Sequence, residues 1–179
     1  TQHGGWVVRL GDQSMTPLPP MDQVIDYALA EERAEELDVF FCAAAKFMLA
    51  SSSGPLAVAN VFGTPLLAAN LIPPGDNSYS SKDVFIHKHL RRRATGEYLN
   101  AREIITPPLR IMQSPRGFSD RDLEVIDNTP DEIRDAAEEM MMRLAGTFDM
   151  TNQDKADLSR YREMNDYPGI SCRSTVATS

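Results

Sequence analysis

Short apolar runs, each closed by a polar or glycine- and proline-bearing turn, alternate with stretches of helical spacing through the first part of the chain. Residues 6–10 (WVVRL) form a compact apolar run with one charge, stopped by Gly11-Asp12, and predict a buried strand ending in a polar turn. Residues 14–20 carry three prolines and predict an ordered loop. Val24-Ile25-Asp26-Tyr27 reads as a further short strand. Between residues 32 and 45, Leu37, Phe40, Phe41 and Ala44 recur at helical spacing and predict a helix with one apolar face. Residues 47–50 read as a buried strand, which Ser51-Ser52-Ser53-Gly54 breaks with small polar residues. Pro55 suits the first turn of a helix, residues 56–62 supply about two turns, Gly63 stops them, and residues 66–69 read as the next strand. Strands and helices alternating in this way predict an α/β sheet.

After Asn70 the pattern weakens. Residues 73–78 read as a loop, and no clean periodicity runs from there to Glu97. Residues 100–105 predict a short helix closed by Pro107-Pro108. Asn128-Thr129-Pro130-Asp131-Glu132 is a strong helix start: Thr129 caps, Pro130 takes the first position, and Glu132 completes a capping box. Ile133, Ala137, Met140, Met141 and Leu144 line one face until Gly146 ends the helix. The Met140-Met141-Met142 run predicts core packing with one exposed methionine. Residues 153–164 predict a charged helix, and residues 168–179 a polar, fraying tail. The expected organisation is an α/β domain over 1–146, followed by a helix and tail over 147–179.

Composition narrows the chemistry. The chain has 179 residues, an apolar content of 42% and a net charge of −8. An acidic surface repels the phosphate backbone of nucleic acid, and no apolar run approaches membrane-spanning length. Cys42 and Cys172 lie far apart; Cys42 falls in an apolar helical run and reads as a core residue. A reducing, cytoplasmic setting is therefore expected. The chain begins Thr1-Gln2-His3, without signal peptide or initiator Met, so an internal position in a longer polypeptide is expected for Thr1. The three histidines, His3, His87 and His89, lack partners at ligand spacing, and no metal site is expected. The basic run from His87 to Arg93 reads as a solvated surface segment, with a contact to phosphate or an acidic acceptor as the alternative. The turn at Ser53 lacks the first glycine of Gly-x-Ser-x-Gly, which argues against a serine nucleophile. The Walker and dinucleotide glycine motifs are absent.

What remains is a turn suited to anions. In a parallel sheet, a strand–turn–helix–strand unit aims the free N–H groups of a helix N-terminus at the crevice beyond the strand ends. Three hydroxyls and the backbone around Gly54 would add donors to a diphosphate without a metal or other cofactor. For Ser52 and Ser53, helix capping is the alternative role. Arg9, near the end of the first strand, suits bidentate phosphate contact or an ion pair with Asp12 or Asp26; spacing leaves both open.

Arg9-Leu10-Gly11-Asp12, with the segment LDVFFCAAAKFMLASSSGPLAVANVFGTPLLAAN, resembles the C-terminal half of GT-B-type glycosyltransferases. The likeness, over about Trp6 to Gly146, is to a bacterial glycosyltransferase family. That family has a strand ending RxGD-S-M-T-P-L-P, a D-x-F-x-C helix, a serine-glycine turn before V-A-N-x-F-G-x-P, and an N-T-P-E-E-I helix. More distantly, Arg9-x-Gly11-Asp12 and the serine turn are similar to motifs of fucosyltransferases, whose arginine contacts the donor diphosphate. Ser53-Gly54-Pro55 and Gly63-Thr64-Pro65 resemble heptosyltransferases, but Ala57 and Val58 stand where those enzymes carry a histidine. Sugar-nucleotide 2-epimerases follow a similar turn with a Glu that this helix lacks.

The resemblance implies a Rossmann-like parallel sheet with helices on both faces. It further implies a donor-binding half that transfers a hexose-type sugar from a nucleotide-sugar to a glycan acceptor in polysaccharide synthesis. Arg9 would be the catalytic residue, neutralising the departing diphosphate. Ser52, Ser53 and Gly54 would hold its oxygens, and Asp12 would orient Arg9 or meet a sugar hydroxyl. An N-terminal partner domain outside this chain would supply the general base. The alternative is a non-catalytic nucleotide-sugar or phosphate-binding module, or a degenerate enzyme fragment.

Overall fold

A four-stranded, wholly parallel sheet forms the centre of the fold. The computed structural model describes residues 4–73, 80–165 and 175–176. In chain order the elements are β1 (Val7–Val8), β2 (Val24–Ile25), a 3₁₀ turn (Tyr27–Leu29), α1 (Glu35–Ala44), β3 (Met48–Ala50), α2 (Gly54–Val61), β4 (Leu66–Leu71), β5 (Val84–His87) and β6 (His89–Arg92). There follow α3 (Ala101–Ile104), a 3₁₀ turn (Leu109–Ile111), α4 (Pro115–Ser119), β7 (Leu123–Ile126), α5 (Pro130–Ala145), α6 (Asn152–Asn165) and β8 (Thr175–Val176). The central sheet runs β3-β4-β5-β8. Two smaller sheets stand apart: β1 beside β2 in parallel, and β6 beside β7 in antiparallel pairing. The protein is thus a mixed α/β structure with small parallel sheets.

Strand β4 reads LLAANL, the near-continuous apolar run of a strand covered on both faces. Alternate residues go to opposite cores. Leu66, Ala68 and Phe85 pack with Cys42 of α1, Leu56 and Ala59 of α2, and Tyr161 of α6. Leu67, Val84 and Ile86 pack instead with Ala136, Ala137, Met140 and Leu144 of α5. A third cluster joins Leu90, Leu99, Phe118 and Leu123 under the β6–β7 ribbon. Helix α6, beyond Gly146, therefore shares its buried Tyr161 with the first core.

Local chemistry explains the sharpest boundaries. Thr129 and Glu132 form the expected capping box of α5, and Asn100 and Glu103 form another on α3. Gly146 ends α5 at φ 70°, with Gly146 N–H donating to Arg143 O and Thr147 N–H to Met142 O, the paired bonds of a Schellman motif. The buried Thr64 hydroxyl donates to Cys42 O at 2.8 Å and so satisfies the carboxyl end of α1. Met140 is buried and Met142 exposed, as the triple-methionine run predicts.

Several expectations are overturned. The run 6–10 is not a buried strand: two of its residues pair, and Trp6 and Val7 are 68% and 48% exposed. In α1 the expected apolar face is largely outward. Phe40 is 57% exposed, while Cys42 is buried and Phe41 rests edge-on against Tyr27. The stretch before Glu97, patternless in sequence, holds β5 and β6. Thr175–Val176 of the supposedly fraying tail pairs with β5; the rest of that tail, and most of the predicted 73–78 loop, lie outside the described residues. No described helix is long and apolar enough to cross a membrane.

Candidate functional site

Because β3, β4 and β5 are parallel, their carboxyl ends meet at one edge of the sheet. The turn after β3 is the serine run. Ser53 takes the N-cap position of α2 with extended backbone, yet its hydroxyl makes no capping bond. Ser51, Ser52, Ser53 and Gly54 are all exposed. Pro55 lies in the first turn of α2, and the first intrahelical bond runs from Ala57 N–H to Ser53 O. The N–H groups of Gly54 and Leu56 are thus left without an intrahelical acceptor. A Cβ built on Gly54 meets nothing within 4 Å, so the approach to the turn is open.

At the ends of β4 and β5 a polar network replaces the apolar core. Asn70, in the left-handed region at φ 54°, and Asn128 bond reciprocally. Asn70 N–H donates to Asn128 Oδ1 at 2.8 Å, and Asn128 N–H to Asn70 Oδ1 at 2.6 Å. The Asn128 amide also donates to His87 O at 2.8 Å, tying β4, β5 and the start of α5 together. His87 Nε2 lies 3.1 Å from the Tyr161 hydroxyl of α6. Burial lowers the His87 pKa to about 4, against a smaller opposing pull from the Leu71 backbone. The imidazole is therefore neutral at neutral pH.

Arg9 and Asp12 sit in a different setting. Arg9 Nε lies 2.8 Å from Asp26 Oδ1, and Arg9 Nη1 donates to Thr16 O at 3.0 Å. Asp26 also accepts from Leu18 N–H, so the pair pins the proline-rich loop to β2. Of the two acidic partners left open by spacing, Asp26 holds Arg9. Asp12 does not orient it: its carboxylate accepts from the Ser14 N–H and hydroxyl, which hold its pKa below the usual range. Arg9 Nη2 is buried without a hydrogen-bond partner among the described residues. No hydrogen bond or ion pair among the described residues joins Arg9 to the serine turn. Leu10, Met48, Ala50 and Val58 each pack against the first core cluster, which is the structure the two segments share.

Four side chains of the basic run pair with acids elsewhere in the chain, and Arg93 donates to Leu123 O. Lys88 pairs with Asp127, His89 with Glu132, Arg91 with Glu124 and Arg92 with Glu103. It is a half-exposed ion-paired ribbon, which agrees with a surface segment rather than a phosphate site. Among the described residues no group of three His, Cys, Asp or Glu side chains is placed to hold a metal.

Comparison of the chain with family models, curated proteins and solved structures finds no match. The geometry of the edge must carry the functional reading. In the sequence Asn128 reads as part of a helix start, and His87 as one of three histidines and the head of a basic run. The signal for their joint role lay in two asparagines, each at the end of an apolar or helical segment where a side-chain amide can substitute for a missing ladder bond.

Proposed function

We propose that the chain is the donor-binding half of a GT-B-type glycosyltransferase, holding the diphosphate of a nucleotide-sugar at the serine turn. The observation that carries this reading is the parallel β3–turn–α2–β4 unit at the carboxyl edge of the sheet, whose hydroxyls and first amides have no partner among the described residues. A helix N-terminus in that position favours negative charge and offers N–H donors directly. In this reading the crevice lies beyond the carboxyl ends of β3, β4 and β5, where the ligands of parallel sheets bind. Arg9, fixed by Asp26 and the Thr16 carbonyl, then adds positive charge on the diphosphate side of the fold. Asp26 takes over the orienting role assigned to Asp12.

The sugar goes from the nucleotide-sugar to a glycan acceptor, and the groups at this edge stabilise the negative charge that builds on the leaving diphosphate. A binding module without turnover is the second reading. It is favoured by the commitment of the candidate bases at this edge: His87 faces Tyr161, and His89 and Glu132 hold each other at 2.6 Å.

Calorimetric titration with GDP-, UDP-, ADP- and CMP-sugars tests the proposal. One of them is expected to bind, and Ser52→Ala/Ser53→Ala should weaken it by about tenfold or more, on the scale of one or two hydrogen bonds to a charged group. Equal affinity in a folded double variant would remove the turn from the site.

A further inference from the structure

The amino edge of the sheet, opposite the serine turn, carries a cavity that the reading above does not use. Its volume is about 460 Å³, and its polar lining is Ser81, Lys82, Arg143, Asp149 and Lys155. The apolar walls are Leu144, Phe148 and Met150.

Three separate devices hold these walls in place. Asp83, 2% exposed, accepts from Leu66 N–H and Ser80 N–H, which fixes the turn that presents Ser81 and Lys82. The Schellman bonds at Gly146 fix the end of α5. Thr151 and Asp154 bond reciprocally at the start of α6 and set the position of Lys155 one residue on. Across the middle, the Arg143 guanidinium is held 2.7 Å from Glu139 and 4.2 Å from the centre of the Phe148 ring.

The charges on this frame are unequal. Arg143 is matched by Glu139, whereas neither the Lys82 nor the Lys155 ammonium has an ion-pair partner among the described residues. Asp149 is the single carboxylate on the lining among the described residues. Two unpaired ammonium groups and a hydroxyl on one lining suit a dianionic phosphate, and a fixed apolar wall suits the body attached to it. Solvated lysines need no such scaffold, and a preformed cavity lowers the ordering cost of binding.

We propose that this cavity binds a phosphomonoester with an aromatic or aliphatic body. Its phosphate lies between Lys82 and Lys155, with Ser81 donating, and its body rests on Leu144, Phe148 and Met150. The site is separate from the serine turn, at the other end of the strands.

Phenyl phosphate, titrated calorimetrically into the whole chain at low ionic strength, tests this. Saturable one-to-one binding is expected, weakened at least tenfold in Lys82→Ala/Lys155→Ala and retained in Lys82→Arg/Lys155→Arg. Phe148→Ala should erase the preference for phenyl phosphate over inorganic phosphate, and Ser52→Ala/Ser53→Ala should bind as the wild type does. Circular dichroism checks that each variant is folded. Absent saturation, full affinity in the double alanine variant, an undiminished preference in Phe148→Ala, or loss of binding in the serine variant would each overturn the proposal.

Discussion

His87 shows how one buried side chain sets a pH window for the fold. Its imidazole is neutral because burial lowers its pKa to about 4, whereas an unfolded histidine titrates near 6.5. Between those values the unfolded chain binds more protons than the folded one. The stability from this group is therefore complete above about pH 6.5 and is lost as pH falls through about 4. Roughly 2–3 kcal/mol is expected to go across that window. Urea midpoints measured between pH 7.5 and 4.5 should fall in the wild type and fall much less in His87→Phe. An unchanged pH slope in that variant would assign the acid sensitivity elsewhere. The carboxylates held below their usual range, Asp12, Glu103, Glu124, Glu132 and Asp154, add their own losses at lower pH. Arg9 teaches a related lesson about side chains. Spacing offered it two acids: Asp26, eight residues after Leu18, closes the loop by accepting from Leu18 N–H, while Asp12 turns back on Ser14.

Elements whose limits are set by local chemistry were readable in advance. The strand, serine turn, helix and strand over 48–71, and the capped helix α5, depend on neighbours within a few residues: Pro55, Gly63, Thr129, Glu132 and Gly146. The β6–β7 ribbon was not readable, because what makes a strand of the charged run is a set of acids far along the chain. Arg91 and Glu124 face each other across the ladder, 33 residues apart. The face of α1 was misassigned for a similar reason: Tyr27 and Thr64 decide which side of it is covered. Asn128 is the joint between elements. Asn128→Ala removes bonds to Asn70 N–H and His87 O and should cost about 1–3 kcal/mol in denaturant unfolding, by stranding part-buried partners. A loss below about 0.5 kcal/mol would mean that water replaces the amide without penalty.

At the scale of the molecule, β4 and β5 divide two cores, and neither strand has a face free of helix packing. Phe85, 1% exposed, sits in the larger core with Leu71 and Tyr161. Phe85→Ala should destabilise by about 3–5 kcal/mol in chemical denaturation, the usual cost of emptying an aromatic core site. A loss under about 1 kcal/mol would show that the helices re-close over the gap. The parallel sheet between these cores also separates two polar edges, one with the open serine turn and one with the lysine-lined cavity. The central claim is that the first of these edges grips the diphosphate of a nucleotide-sugar. Amide chemical-shift mapping by heteronuclear NMR, with the nucleotide-sugar that binds in calorimetry, tests it most directly. The account predicts the largest shifts at the Ser51–Ser53 turn and at Gly54 and Leu56, with smaller changes at Arg9. Shifts absent from that turn, or concentrated at Ser81, Lys82 and Lys155, would contradict it.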